Sequence, residues 1–437
     1  MKLKLLFALL IVQVGFAQQR TCGMEQYMQN LMANPELKQQ YLDFQQQFES
    51  ELQRLTLVQQ ARNGQTINSP NVVIRIPVAV HFPTVTATAS NVALRDCLLL
   101  LAQRQINILN ADYNATNTDI SLWSAASSFY PGVNIGNMTI SFELATQNHP
   151  TGSGLGFPTN GNPAITFGTD FLTAGNINCQ TCNEDATWAG YFNLVVTNIA
   201  GGVLGFSPLG GNLAIGKTVV IDNNAFGAAM TTTPTSCSGF IPNSPYNLGR
   251  TLTHELGHFF NLNHTFNGCD SGDCSNSGDM VCDTPACNQP WFSCNPPGSA
   301  TNSTCGETQL TMNYMDYVND SCMYMFTAGQ ATRMTAWYNT IVSLIKPNVL
   351  SNSDFVNTNF SIAPNPNKGT FNIQFKEAME NYSVEIYDAT GRVIFEKEYI
   401  HNQELQQNIS LNSTLTGVYF VSIKSEGVNA IKKVIVE

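Results

Sequence analysis

The sequence predicts an α/β body followed by a small all-β sandwich. Three observations lead there. Between about Asn71 and Phe226, short β-branched stretches alternate with helix-like ones. A stretch rich in Gly, Asn, Ser and Pro then holds seven of the twelve cysteines, from Cys269 to Cys322. Beyond Phe360, apolar and polar residues alternate in short runs separated by turn signals, the pattern of a β-sandwich of about 80 residues.

The elements follow in chain order. Lys2 and Lys4 precede an apolar stretch from Leu5 to Val14, and Gly15 and Ala17 supply small residues. This reads as a signal peptide, residues 1–17, cut after Ala17. Its apolar run is too short to span a bilayer, and no other segment reaches the length of a transmembrane helix. No cysteine follows the cut, so no lipid anchor is expected. Residues 18–68 differ in composition from the rest. Glu25 to Gln60 is rich in Gln, Leu and Met, and Leu37, Tyr41, Phe44, Phe48 and Leu52 recur at helical spacing. The body, 69–348, opens with the strand VVIRIPVAVHF (72–82). A helix over 92–110 carries Leu94, Leu98, Leu101, Ile106 and Leu109 on one face. Strands are predicted over 138–146, 191–199 and 218–226, and a helix over 247–262. A linker, 349–359, precedes the sandwich, 360–437.

Composition narrows the function. The formal net charge is -11 and only 12% of residues are charged, which argues against nucleic acid as a partner. An exported chain meets an oxidising compartment, so most cysteines are expected to pair.

The decisive segment is His254-Glu255-Leu256-Gly257-His258 followed by His264. On a helix, residues four apart share a face, so His254 and His258 can aim imidazole nitrogens at one ion. Neutral imidazole is a good zinc ligand, and three protein ligands leave the fourth position to water. Glu255, beside the first ligand, is placed to take a proton from that water and return it to a leaving amine. His264 lies six residues past His258, so the helix must stop and turn between them. Asn261 is the expected turning residue, because Asn tolerates positive φ.

These residues resemble the extended zinc motif of the metzincins. The flanking Gly249-Arg250-Thr251 and Thr265-Phe266 make the segment similar to the pappalysin (cytophagalysin) family in particular. Asn261 departs from that family, which usually has Gly there. Asn313-Tyr314-Met315-Asp316-Tyr317, with Cys322 to Phe326, resembles the family's Met-containing turn. The resemblance covers about 270 residues and implies a mixed sheet, a zinc helix and an irregular, disulfide-rich lower subdomain. It also implies that Met315 forms an apolar floor under the ligands and that the Tyr317 hydroxyl steadies the reacting centre. The tail resembles the C-terminal sorting domain of the type IX secretion system of Bacteroidetes, through APNPNKG (363–369), VEIYDATGRVI (384–394) and LTGVYFVSIKSEG (415–427). That implies a secreted or outer-surface protein of a Bacteroidetes-type bacterium, with the secretion machinery as a partner.

Further expectations attach to single residues. Cys22, in Arg20-Thr21-Cys22-Gly23, is read as a thiolate that blocks the zinc in a latent precursor, with 18–68 as propeptide. The alternative is a disulfide, for example to Cys97. Asp279, Asp283 and Thr284 resemble a family calcium loop, with the hard oxygens calcium prefers. Cys294–Cys322 is expected, together with Cys305 bound to Cys269 or Cys274; Cys179–Cys182 could be a short local bridge. Ser321 stands where some bacterial relatives carry an acid that selects Arg, so a broader cleavage preference is expected. The reading is a secreted zinc endopeptidase acting on extracellular proteins or peptides, expected to be monomeric. The alternative is a surface adhesin on an inactive metzincin scaffold, which Glu255 disfavours.

Overall fold

Strand β1 (Ile74–Phe82) is buried along nearly its whole length, with alternate side chains entering different cores. Ile76, Val78, Val80 and Phe82 point to one face and Ala79 to the other. A strand covered on both faces belongs at the centre of a layered sheet. The computed structural model describes residues 20–61, 74–86, 92–152, 156–168, 170–179, 181–229, 237, 239–270, 272–296, 299–346, 360–375, 381–388, 392–400, 404–411, 416–425 and 428–437. The expected signal peptide and linker lie outside them, as do residues 18–19 and 62–68 of the expected propeptide.

The chain divides into two units between Lys346 and Pro347. In the first, β1 pairs in parallel with β2 (Ile140–Leu144), β3 (Ile165–Phe167) and β4 (Phe192–Thr197). Strand β6 (Thr218–Asp222) joins β4 in parallel, and the short β5 (Gly205–Phe206) closes that edge antiparallel. The sheet is therefore mixed. Helix α3 (Val92–Tyr113) covers one face with Leu98, Leu101, Ile106 and Leu109, all within the main core. A single turn, α4 (Trp123–Ala126), follows it.

Helix α5 (Arg250–Phe259) is buried at every position. It is shorter than the sequence suggests, because positive φ at Gly249 and Asn261 brackets it. Three side chains lock it to α3. Tyr113 donates to the Thr253 carbonyl at 3.1 Å, Thr253 donates to Asp112 at 2.7 Å, and Arg250 pairs with Asp112 at 3.1 Å. At its end the Leu262 amide donates to Gly257 and the Asn261 amide to His258, at 3.0 and 2.8 Å. That is the hydrogen-bond pattern of a Schellman motif, with Asn261 in the left-handed position at φ 69°.

Below the helix the chain is irregular, apart from the pair β7 (Thr301–Asn302) and β8 (Thr308–Gln309) and helix α6 (Ala328–Ile341). A capping box of Thr327 and Gln330 starts α6. Disulfides Cys269–Cys305, Cys274–Cys282 and Cys294–Cys322 hold this region. Elsewhere Cys179 pairs with Cys182, and Cys97 pairs with Cys237, which overturns the Cys22–Cys97 alternative. Cys22 and Cys287 carry free thiols.

The helical stretch at the N-terminus is two helices, α1 (Met24–Ala33) and α2 (Pro35–Ala61), rather than one run. Asn34 breaks it: its backbone is extended, and its Oδ1 accepts the amides of Glu36 and Leu37 at 3.0 and 3.2 Å. Pro35 then takes the first helical position, where no amide is needed.

In the second unit, β9 (Phe360–Ala363), β10 (Thr370–Phe375) and β13 (Gln406–Ser410) form one antiparallel sheet. Strands β11 (Asn381–Asp388), β12 (Val393–Ile400), β14 (Gly417–Ser425) and β15 (Val428–Val436) form the other. Phe371, Ile373, Val384, Ile386, Val421 and Val434 fill the space between them. This is the all-β sandwich that the alternation predicted.

Candidate metal centre

Helix α5 turns His254 and His258 to one side, and the left-handed Asn261 brings His264 back to meet them. The Nε2 atom of His258 lies 3.2 Å from that of His254 and 3.1 Å from that of His264. Their other ring nitrogens face outward. His254 Nδ1 donates to the Tyr314 carbonyl and His258 Nδ1 to the Leu262 carbonyl, each at 2.7 Å. Such partners fix the tautomer and aim the free lone pair inward. His264 Nδ1 lies 3.7 Å from Glu25. Burial, and then the neighbouring imidazoles, hold His254 well below the ordinary histidine range. Burial lowers His258 and His264 as well. All three are therefore neutral and able to donate lone pairs.

Cys22 completes the cluster. Its Sγ and the three imidazole nitrogens all lie within 4.8 Å of one another. Three imidazole nitrogens and one thiol gathered this closely are the donor types of a zinc site, so the residues present fit that ion. Among the described residues no other group of three or more His, Cys, Asp or Glu side chains is gathered this way. The segment carrying Cys22 pairs with the sheet edge. The Gly23 amide donates to the Gly205 carbonyl at 2.9 Å, and the Leu204 amide to the Thr21 carbonyl at 3.0 Å. Residues 21–23 thus extend the sheet beyond β5, running parallel to it.

Glu255 Oε2 lies 3.4 Å from Cys22 Sγ. The carboxyl is fully buried, and burial pushes it up to about 8, against the pull of the Cys22 hydrogen bond and the Arg20 charge. Gly205 leaves room for it: a Cβ there would stand 2.8 Å from Glu255 Cγ. Met315 is fully buried, and a Cβ on Gly257 would collide with its sulfur, so it packs directly beneath α5. The Tyr317 ring stands 5.0 Å from that of His264 and 5.8 Å from that of His254. Its hydroxyl meets the Cys22 backbone, and burial raises its pKa.

Asp320, the neighbour of Ser321, faces a basic side chain. The Arg20 guanidinium is buried and pairs with Asp320 Oδ1, while Asp320 Oδ2 accepts the Leu248 and Arg250 amides at 2.8 and 3.2 Å. Arg20 also lies 4.8 Å above the Tyr246 ring and donates to Val318 O and Thr251 Oγ1, each at 3.3 Å. Position in sequence could not single out Asp320, although a lone Arg two residues before the expected blocking Cys was a usable hint. Asp279 and Thr284 come together in the fold. The Thr284 hydroxyl lies 2.7 Å from both Asp279 oxygens, and Asp283 accepts from Thr327 and the Gly329 amide at α6. These carboxylates are engaged by the fold, and Asp279 stands as the buried one, raised by burial to about 7.

The chain is similar to known proteins in both of its units. Residues 239–339 match the family model described as pregnancy-associated plasma protein-A. Residues 361–437 match the model for the secretion system C-terminal sorting domain. Extracellular metalloprotease 1 of Coccidioides posadasii is 39% identical over 138 residues, 32% of this chain and 46% of that protein. An extracellular metalloprotease of Pyricularia oryzae is 31% identical over 208 residues, 47% of this chain and 68% of that protein. The chain thus spans less than half of the first relative's length. Among solved structures, mature mirolysin of Tannerella forsythia in complex with a cleaved peptide is 26% identical, with a TM-score of 0.44, over 63% of this chain and 99% of that one.

Proposed function

The chain belongs to the pregnancy-associated plasma protein-A family of metalloproteases, and we propose that it is an exported zinc endopeptidase whose precursor is silenced by its own residues 18–68. The observation that carries this reading is the gathering of His254, His258, His264 and Cys22 around one point, with Glu255 beside it.

His254, His258 and His264 would hold the zinc, and Cys22 would take the fourth position in the precursor. When bound, the zinc supplies Lewis acidity toward a scissile carbonyl and its attacking water. Once Cys22 withdraws, Glu255 is free to take the proton of the water and deliver it to the leaving amine. Its place supports that role, because Glu255 Oε2 lies 3.4 Å from the Cys22 Sγ that the water would replace. Tyr317, whose ring lies beside those of His254 and His264, would donate its hydroxyl to the developing oxyanion. Met315 and the carbonyls of Tyr314 and Leu262 keep the imidazoles aimed.

Arg20 supports a finer statement about substrates. Its guanidinium is buried against Asp320, Val318 and Thr251, a buried slot two residues before the Cys22 that meets the zinc ligands. After the propeptide leaves, an Arg or Lys side chain of a substrate would enter the same slot. Calcium would bind at Asp279 and Thr284, where a cation would offset the burial of the carboxylate. The sorting tail accounts for export and takes no part in the chemistry.

The test is direct. Processed protein is assayed for zinc content and for casein hydrolysis, beside Glu255→Ala. One zinc per chain, with hydrolysis lost only in the variant, is the expected result. Zinc-loaded, processed protein that hydrolyses nothing would point to an adhesin instead.

A further inference from the structure

The N-terminal segment grips the body at a second place, twenty-odd residues beyond Cys22. Helix α2 lies along α6, and Phe48 is completely buried there. Its ring is 5.5 Å from that of Trp337, and the Arg333 guanidinium sits 4.8 Å from its centre on another side. Phe44, one turn earlier, stands 6.4 Å from the same Trp337. Gln45 exchanges two hydrogen bonds with the Asn261 side chain, at 3.1 and 3.0 Å. Gly210 forms the floor. A Cβ at this position would meet Trp337 at 2.8 Å and Gln45 Nε2 at 3.0 Å, so a side chain here would push on the indole that Phe48 packs against.

The body holds this seat in shape by its own bonds. Arg333 Nε donates to the Asn261 carbonyl at 2.8 Å, and Trp337 Nε1 donates to the Gly211 carbonyl at 3.0 Å. The Gly210 amide donates to the His258 carbonyl at 2.8 Å. Departure of α2 would therefore leave an apolar socket with a side-chain amide at its rim. A formed groove of this kind suits an amphipathic helix with an aromatic anchor. Its occupant in this structure is α2, whose Phe44, Phe48 and Leu52 pack against the main core and whose Gln45 matches Asn261.

We propose that the groove formed by Trp337, Arg333, Asn261 and Gly210 is a helix-binding exosite, and that after processing its ligand is the released helix α2 itself. The propeptide is then a two-point ligand, with Cys22 and Arg20 in the cleft and α2 on the groove. The groove's Asn261 is the same residue that turns the chain toward His264, where the family usually has Gly. The extra side chain gives this enzyme a recognition feature for its own propeptide. The proposal rests on the reading of residues 18–68 as a propeptide.

The experiment uses enzyme processed from the full chain, freed of its N-terminal fragment, and a fluorescent synthetic peptide of residues 35–61. That peptide lacks Arg20 and Cys22, so any binding reports the groove. Intact mass is measured first. Saturable binding by anisotropy is expected, weakened about 100-fold or more by Phe48→Ala in the peptide. Gln45→Ala should weaken it about tenfold, through loss of the amide pair. All changes lie in the peptide, so folding of the enzyme is never in question. No saturable binding, or equal binding by both variants and by a scrambled peptide, would overturn the exosite while leaving the protease reading intact. A mass showing residues 35–61 still attached to active enzyme would overturn the propeptide reading, and the rebinding with it.

Discussion

A substrate in which one arginine is exchanged for citrulline tests the slot most sharply. Citrulline keeps the shape of arginine and loses its charge. In the precursor, Arg20 and Asp320 are 1% and 0% exposed, so a substrate arginine in that slot would sit in a fully desolvated pair. Removing one charge of such a pair typically costs about 2–5 kcal/mol, much of it from the other charge left buried without its partner. At about 1.4 kcal/mol per tenfold, kcat/KM for the arginine peptide should exceed that for the citrulline peptide by roughly 30- to 4,000-fold. Lysine should fall between them, because it carries the charge but not the fork. Asp320→Asn adds the complementary arm. Asp320 also holds the Leu248 and Arg250 amides at the start of α5, so the substitution will perturb the enzyme generally. That general effect is common to both peptides and cancels in their ratio. The ratio should collapse toward one in the variant. Steady-state rates on the matched peptides by fluorescence dequenching give all four values. A wild-type ratio near one, or a large ratio that survives Asp320→Asn, would refute the assignment of the slot.

Other outcomes follow from the same geometry. Glu255→Gln should lower kcat/KM by about 10²- to 10⁴-fold with zinc content unchanged, the usual size of a lost general base; full activity by the variant would remove Glu255 from the mechanism. Cys22→Ala should give a precursor that cleaves peptides, or itself, before processing, detectable by gel and by peptide turnover, and unbroken latency would refute the thiolate lock. Burial raises the Asp279 carboxyl from the usual value to about 7, so the native state binds that proton more tightly than the unfolded chain. Its contribution to stability is thus greatest in acid and declines as pH rises from about 4 through about 7, by up to about 4 kcal/mol. Asp279→Asn should flatten that part of the stability profile in calcium-free urea titrations. Added calcium should raise the melting temperature of the natural protein most above pH 7, where the carboxylate is charged, and indifference to calcium there would argue against an ion on Asp279 and Thr284.

The metal centre was legible because its parts are near in sequence and obey helix geometry. Two imidazoles four residues apart share a face, and a third six residues on demands a turn at a residue that tolerates positive φ. Asn261 has φ 69° for that reason. The sandwich was legible through simple alternation. What escaped was long-range or a matter of register. Asp320 is an ordinary loop aspartate in the sequence until Arg20 reaches it across the fold. The partner of Cys97 had to come from a loop 140 residues away, beyond any local rule. The break at Asn34 was available in principle, since an Asn-Pro pair is a strong cap, but the helical spacing around it drew attention across the gap. Gln45 and Phe48 carried a helical pattern with no indication of which surface they would meet.

Arg20 has its partners at Thr251, Val318 and Asp320, up to 300 residues further along the chain. Closing a loop of that length costs roughly 5 kcal/mol in chain entropy before any contact is made. The buried seat of the Arg20 guanidinium therefore does not exist until the late part of the body has been made. Met315 and Tyr317 belong to the same late stretch as Asp320. A half-made chain thus holds Cys22 and its sheet-edge partner Gly205, but neither the three histidines nor the carboxylate that buries Arg20.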